Sequence, residues 1–160
     1  MAGLVFSAPW LATSSPVPWW KVIGGRLIAR ILPSLPMDTG VVSEEVTSDP
    51  DMIAARDADP LMHSKLSPRL FLDIEAWQHR TRQAASAVKI PTLFIVPEAD
   101  VLADAGVTVE VAQTLPAATT TVLRLPGCKH EPFNDRERAD VIGAVGDWIV
   151  DQIGQGRKGD

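Results

Sequence analysis

Two short apolar runs, each closed by a proline, constrain this chain more than anything else in it. Ile90-Pro91-Thr92-Leu93-Phe94-Ile95-Val96 is apolar and β-branched at consecutive positions and stops at Pro97. That is the pattern of a strand buried on both faces of a parallel sheet. It delivers Glu98-Ala99-Asp100 beyond its carboxyl end, and the second run, Thr119 to Leu125, stops at Pro126-Gly127 and delivers Cys128-Lys129-His130. Between them, the segment Gly106 to Leu115 carries both an alternating apolar set (Val107, Val109, Val111) and a helical one (Val107, Val111, Leu115). Parallel strands need a crossover between them, and that need selects the helix, with Asp104 placed to cap it. Both loops then open on the carboxyl edge of the sheet, where open α/β sheets collect their reacting groups. An acid and an imidazole meet there.

A buried aspartate that accepts the imidazole N–H fixes the tautomer and leaves the other ring nitrogen free to act as a base. In chains that use a serine, an acid and a histidine in that order, the serine sits in a G-x-S-x-G elbow. No serine of this sequence has those flanking glycines. On spacing alone a plainer reading stands beside the catalytic one: Asp100 as a turn or cap residue and His130 as a loop residue on separate edges. Cys128 with His130 forms a further conceivable nucleophile pair, disfavoured because a two-residue spacing seldom allows in-line geometry.

Four stretches give the chain a family likeness: Gly3-Leu4-Val5-Phe6-Ser7-Ala8-Pro9, Asp59-Pro60-Leu61-Met62-His63, Glu98-Ala99-Asp100 followed by Asp104, and Gly127-Cys128-Lys129-His130-Glu131-Pro132-Phe133-Asn134. In order and spacing they resemble the C-terminal half of an α/β-hydrolase of the monoacylglycerol lipase, lysophospholipase and serine aminopeptidase-like branch. The resemblance implies an α/β fold with three parallel strands, flanking helices and a helical lid insertion. Residues 1–9 would hold the first core strand, 10–88 the lid, 89–153 the core bearing acid and histidine, and 154–160 a frayed tail. It also implies hydrolysis of a carboxylic ester through a Ser-His-Asp triad, with Asp100 as the acid and His130 as the base. The chain departs from the family at Val96-Pro97, where a His-Gly or Gln-Gly pair is common, and at Val101, where Arg is usual. Pro97 fixes φ and lacks an N–H, which puts the turn that aims Asp100 in question. The half carrying the nucleophile is expected to be missing and the chain inactive alone. The alternative is a noncatalytic module that keeps the sheet and lid as a partner-binding surface.

Leu4 to Ser7 reads as a central strand apolar on both faces. With no neighbour on one side it would expose unpaired backbone groups and invite a second copy or the missing N-terminal half. After a Pro- and Ser-interrupted connector, Trp19 to Leu32 reads as a helix with Trp20, Ile23, Leu27 and Ile31 on one face and Arg26 and Arg30 beside it. The ordinary expectation is that this stripe packs on the domain below; the sharper one is that it touches lipid surfaces. Gly24-Gly25 weakens the helix by roughly 1 kcal/mol per glycine relative to alanine. Residues 37–67 are polar and turn-rich, with Asp49-Pro50 and Asp59-Pro60 as turn or helix-start signals. Ser67-Pro68 then caps and starts a helix in which Leu70, Ile74 and Trp77 recur at helical spacing. Near the end, Asn134-Asp135-Arg136-Glu137 resembles a capping box ahead of a helix with Val141, Val145, Trp148 and Ile149 as its buried stripe.

Composition narrows the function classes. A net charge of −5 with the fifteen basic residues scattered argues against nucleic acid. A hydrophobic content of 46% and a mean hydropathy of +0.07 describe an ordinary globular chain. The single cysteine excludes an internal disulfide or a cysteine-based zinc site and fits a cytoplasmic setting. His63 reads as a surface or capping group near the substrate region and His79 as solvent-facing, and neither has a second ligand at metal spacing. No metal and no cofactor are expected. Met1 to Ala12 is apolar but has no basic residue before it, so a signal peptide is not expected. The partners implied by the resemblance are an acyl-ester or lipid-like substrate, with peripheral membrane contact through the lid.

Overall fold

The structure is a computed structural model in which residues 3–156 are described. The chain begins with strand β1 (Leu4–Ser7) and then makes a long excursion: helix α1 (Trp19–Ile31), strand β2 (Met37–Asp38), helices α2 (Ser43–Val46) and α3 (Pro50–Ala58), strand β3 (Lys65–Leu66) and helix α4 (Pro68–Ala84). It returns through strand β4 (Thr92–Pro97), helix α5 (Ala105–Thr114), strand β5 (Thr120–Leu125) and helix α6 (Arg138–Gly156). Strands β1, β4 and β5 form one parallel sheet in the order β1-β4-β5, whereas β2 and β3 make a separate antiparallel ribbon. The expected α/β architecture of three parallel strands with flanking helices is therefore present.

Every residue of β4 is buried, because its alternating side chains are covered by helices on both sides. Phe94 and Val96 join Leu11, Ala85, Val111, Ala112 and Leu115 on one face, while Leu93 and Ile95 meet Val141 on the other, with Trp148 and Val145 packed against them. A fully buried aliphatic side chain of this kind contributes about 1.5–3 kcal/mol, so β4 is the strand around which the core is assembled. The crossover between β4 and β5 is the helix that the topology demanded, and Asp104 caps it by accepting the Val107 N–H at 2.9 Å.

β1 lies at the edge of the sheet with one side unpaired, as the lack of a neighbour implied, although its apolar pattern is that of a central strand. β1 pairs with β4 only, in the register Val5↔Leu93 and Phe6↔Phe94, and Val5 and Phe6 are each 37% exposed. A strand with one neighbour cannot be covered as a central strand is, which is why an apolar run did not end up buried. Its start is nevertheless tightly fitted. A Cβ built on Gly3 would come within 2.8 Å of the Trp148 ring and 2.9 Å of the Pro91 carbonyl, so only glycine allows that approach.

Two expectations are corrected by the helices. The stripe of α1 does not pack inward: Trp20, Ile23, Leu27 and Ile31 are 57–71% exposed, and α1 has no fully buried residue. It lies against α4, with Val22, Gly24, Gly25, Ile28 and Ala29 half-buried. On α6, Val141 is buried and Val145 and Trp148 are partly covered, but Ile149 faces solvent, so the apolar stripe is narrower than periodicity suggested. Residues 154–156 belong to that helix rather than to a frayed tail, and 157–160 lie outside the described residues.

The turn-rich region 37–67 has more regular structure than its composition implied. Asp49 caps α3 by accepting the Asp51 and Met52 N–H groups, with Pro50 at the first helical position. Ser67 likewise accepts the Leu70 N–H at 3.2 Å ahead of Pro68, as its sequence position predicts. Among the described residues no helix is long and apolar enough to cross a membrane.

Candidate active site

The loops after β4 and β5 are tied together by their backbones. Glu98 N–H donates to the Leu125 carbonyl and Ala99 N–H to the Cys128 carbonyl, each at 3.0 Å. The turn between β5 and His130 runs through Pro126 and Gly127, with the Cys128 N–H returning to the Leu125 carbonyl at 3.3 Å. Gly127 has φ +82°, the left-handed conformation that the third residue of such a turn requires and that glycine adopts without a Cβ clash. Pro97, whose missing N–H threatened the aim of the acid loop, is instead the last paired residue of β4, opposite Leu125. The turn forms immediately after it.

This framework puts Asp100 Oδ2 2.7 Å from Nδ1 of His130. The other carboxylate oxygen, Oδ1, accepts the N–H groups of Leu102 at 2.8 Å and Ala103 at 3.0 Å. The carboxylate is thereby held from both ends, and its side chain is 2% exposed against 28% for the imidazole. With Nδ1–H donating to the carboxylate, Nε2 is left as the nitrogen able to take a proton. The acid loop is also braced from the far side. Ser14 N–H donates to the Leu102 carbonyl at 3.1 Å, and Asp104 N–H to the Ala12 carbonyl at 3.0 Å.

His130 lies in the wall of a cavity of about 1060 Å³. Its lining mixes apolar side chains (Trp10, Met37, Met62, Phe71, Val101) with as many polar and charged ones, Lys21, Glu45, Arg56 and His63 among them. His63 is exposed, and its Nδ1 accepts the Lys65 N–H at 3.3 Å, so it shapes a turn beside the cavity. His79 is exposed on α4. Cys128 is unsuited to act as a nucleophile. It is 1% exposed, and burial, helped by the Asp135 carboxylate, pushes its thiol up to about 12, which leaves almost no thiolate at neutral pH.

One group at this site escaped the sequence reading. Asp135 is fully buried, and its carboxylate accepts N–H groups from Lys129 (2.8 Å), Ser48 (2.9 Å) and Arg136 (2.9 Å) as well as the Ser48 hydroxyl. Burial works against its ionisation, but the Ser48 hydroxyl and these N–H groups outweigh it and hold the carboxyl far below the usual carboxylate range. The sequence pattern places it only within the capping-box-like stretch Asn134-Asp135-Arg136-Glu137. The available signal was an acid five residues beyond the histidine, on the same loop.

Comparisons with known proteins bear on the family and the fold. Residues 1–137 match the family described as serine aminopeptidase, S33. The monoacylglycerol lipase of Mycolicibacterium smegmatis is 24% identical over 153 residues, covering 95% of this chain and 54% of the relative. Phospholipase YtpA of Bacillus subtilis is 25% identical over 146 residues, covering 91% of this chain and 56% of the relative. The chain thus spans about half the length of the curated relatives it matches. Among solved structures, the Paleococcus ferrophilus monoacylglycerol lipase aligns with a TM-score of 0.86 at 26% identity, covering 95% of this chain and 60% of that one. A soluble variant of the Saccharomyces cerevisiae monoglyceride lipase, bound to a substrate analogue, aligns at 0.77 with 18% identity over 92% of this chain and 55% of that one, a likeness of fold. With a match over most of its length and a sheet of the same kind, this chain belongs to the serine aminopeptidase S33 family, in its monoacylglycerol lipase-like, α/β-hydrolase branch.

Proposed function

We propose that this chain supplies the acid, the base and the lid of a serine ester hydrolase acting on monoacylglycerol-like lipids. The observation that carries the reading is the 2.7 Å pair of Asp100 and His130 beside a cavity of about 1060 Å³ that has both apolar and polar walls. In this mechanism a serine attacks the ester carbonyl as His130 Nε2 takes its proton. His130 then gives that proton to the departing glycerol oxygen. Water, activated by the same nitrogen, releases the fatty acid and restores the serine. Asp100 holds the ring and stabilises the imidazolium. The sequence contains no G-x-S-x-G elbow, so the nucleophile and the oxyanion donors that accompany it come from further polypeptide. The 160 residues alone are inactive.

The segment between β1 and β4 acts as the lid over the cavity, and its α1 meets lipid. Support for this comes from the outward apolar stripe of Trp20, Ile23, Leu27 and Ile31 beside Arg26 and Arg30 and from the absence of any acidic residue before Asp38. The resulting protein is cytoplasmic and peripheral to the membrane. The open edge of β1 receives the polypeptide that bears the nucleophile, or, in its absence, a second copy of the chain.

The test is covalent labelling. The 160-residue chain should not react with a fluorophosphonate probe or turn over short-chain p-nitrophenyl esters. Joined to the nucleophile-bearing N-terminal segment of the Mycolicibacterium smegmatis relative, it should do both. Labelling of the 160 residues alone, or a folded joined protein that never labels, would overturn the reading.

A further inference from the structure

The buried acid that the mechanism above leaves unused is Asp135. Its two oxygens divide between two parts of the chain that are distant in sequence. Oδ2 accepts the N–H of Lys129, the residue immediately before His130, at 2.8 Å. Oδ1 accepts the N–H of Ser48 at 2.9 Å together with the Ser48 hydroxyl, in the turn between α2 and α3. Around this carboxylate the same two segments are joined again. Glu131 N–H donates to the Val46 carbonyl at 3.0 Å, and the Thr47 hydroxyl to the Asn134 carbonyl at 2.8 Å. Arg56 of α3 pairs with Glu131 at 3.0 Å, and Arg138 pairs with Asp49. His130 therefore sits between two bonded neighbours, Lys129 and Glu131, both fastened to the turn that carries α2 and α3.

We infer that Asp135 is a positioning residue: it clamps the backbone on the amino side of His130 to the Thr47–Ser48 turn, so that the imidazole keeps its bond to Asp100 only while the α2–α3 segment is docked. The inference rests on the reading of His130 as the base. Its physical basis is that a fully buried carboxylate accepting several N–H and O–H donors is a stiff joint. Charge-assisted bonds of this kind are about twice as strong as neutral ones, and a buried donor left without its acceptor bears the whole desolvation cost. Glu44, Ser43 and Arg56, from the same segment, line the cavity beside His130. The clamp consequently links the wall of the substrate cavity to the orientation of the base. A purely structural acid would stabilise the fold without affecting which partner the imidazole keeps.

The experiment reads His130 directly, in the 160-residue chain, by proton and nitrogen NMR well below the unfolding temperature. Wild type should give a slowly exchanging, low-field Nδ1 proton and a single imidazole tautomer. In Asp135→Asn that proton should broaden or vanish and the tautomers mix, and the Lys129 and Ser48 amides should exchange with solvent roughly tenfold faster or more, the factor expected for one lost charge-assisted bond. Ser48→Ala, which removes only the hydroxyl arm, should shift the same signals partway and keeps the test decisive if the Asn variant does not fold. Asp135→Glu should restore the low-field proton at least in part. A folded Asp135→Asn or Ser48→Ala chain with the wild-type His130 signals would overturn the clamp while leaving the acid–base pair intact. A wild-type chain without the low-field proton would instead remove the pair, and the clamp with it.

Discussion

Asp100 and His130 are thirty residues apart in sequence and 2.7 Å apart in space. Two backbone bonds bring them there, from Glu98 to Leu125 and from Ala99 to Cys128, by closing the loops of neighbouring parallel strands against each other. The carboxylate is almost wholly covered, its second oxygen taken up by Leu102 and Ala103, and it therefore has one remaining task, to hold the imidazole.

The depressed titration of Asp135 makes the fold sensitive to acid. Its carboxyl titrates lower in the native state than when unfolded, where it would lie near the ordinary value of about 3.9. The stabilisation it gives is then complete above about pH 5 and is lost as the pH falls through the ordinary carboxylate range toward the native value. Asp49, held low by Arg138, adds in the same direction. Urea midpoints should fall more steeply below pH 4 for wild type than for Asp135→Asn. The variant should be about 2–4 kcal/mol less stable at pH 7, because four donors lose a charged acceptor.

Cys128 should be inert in the native protein. With its thiol pushed up to about 12 by burial, the folded chain keeps this proton where the unfolded chain, near 8.5, has lost it. This group favours the native state fully below about pH 8 and progressively less as the pH rises toward 12. Iodoacetamide at pH 8 should modify the native chain roughly 100-fold or more slowly than the urea-unfolded chain. Comparable rates would show that the loop carrying His130 opens readily.

Helix α1 is continuous through Gly24 and Gly25, and a Cβ at either position meets nothing within 4 Å. Glycine is not needed there for packing. Replacing each by alanine should strengthen the helix by about 1 kcal/mol, which hydrogen exchange of the α1 amides would register as slower opening. No change, or faster exchange, would mean that neighbours not apparent in this arrangement use the space.

The outward stripe of α1 should bind anionic vesicles. Burying one of its large apolar side chains is worth about 1.5–3 kcal/mol when complete, so Ile23→Asp or Leu27→Asp should weaken binding by roughly tenfold or more. Raising the salt should weaken it further through Arg26 and Arg30. Tryptophan fluorescence from Trp19 and Trp20 reports the event. Equal binding of neutral and anionic vesicles would exclude the basic flank from the contact.

What the sequence disclosed and what it hid follow from different kinds of information. β4 and β5, the helix between them and the caps at Asp104 and Ser67 were legible because local pattern and chain connectivity determine them. The meeting of Asp100 with His130 was legible once two strands were taken as parallel neighbours. The α1 stripe stayed between an inward and an outward reading, because an apolar face does not disclose whether anything covers it, and the exposure of Val5 and Phe6 follows from the missing neighbour of β1. The tie of Asp135 to Ser48 was not legible, because Ser48 lies inside the long excursion between β1 and β4 and no periodicity links position 48 to position 135. The start of α3 was signalled by Asp49-Pro50, whereas α2 was hidden because a four-residue Ser-Glu-Glu-Val helix looks like a turn until it is docked.

The most direct measurement is turnover of a monoacylglycerol by the chain joined to a nucleophile-bearing N-terminal segment, with and without the pair. His130→Ala should lower kcat by on the order of a millionfold and Asp100→Asn by roughly ten-thousandfold, with KM little changed. A joined, folded enzyme whose kcat survives either substitution within about tenfold would contradict the assignment of these two side chains as base and acid.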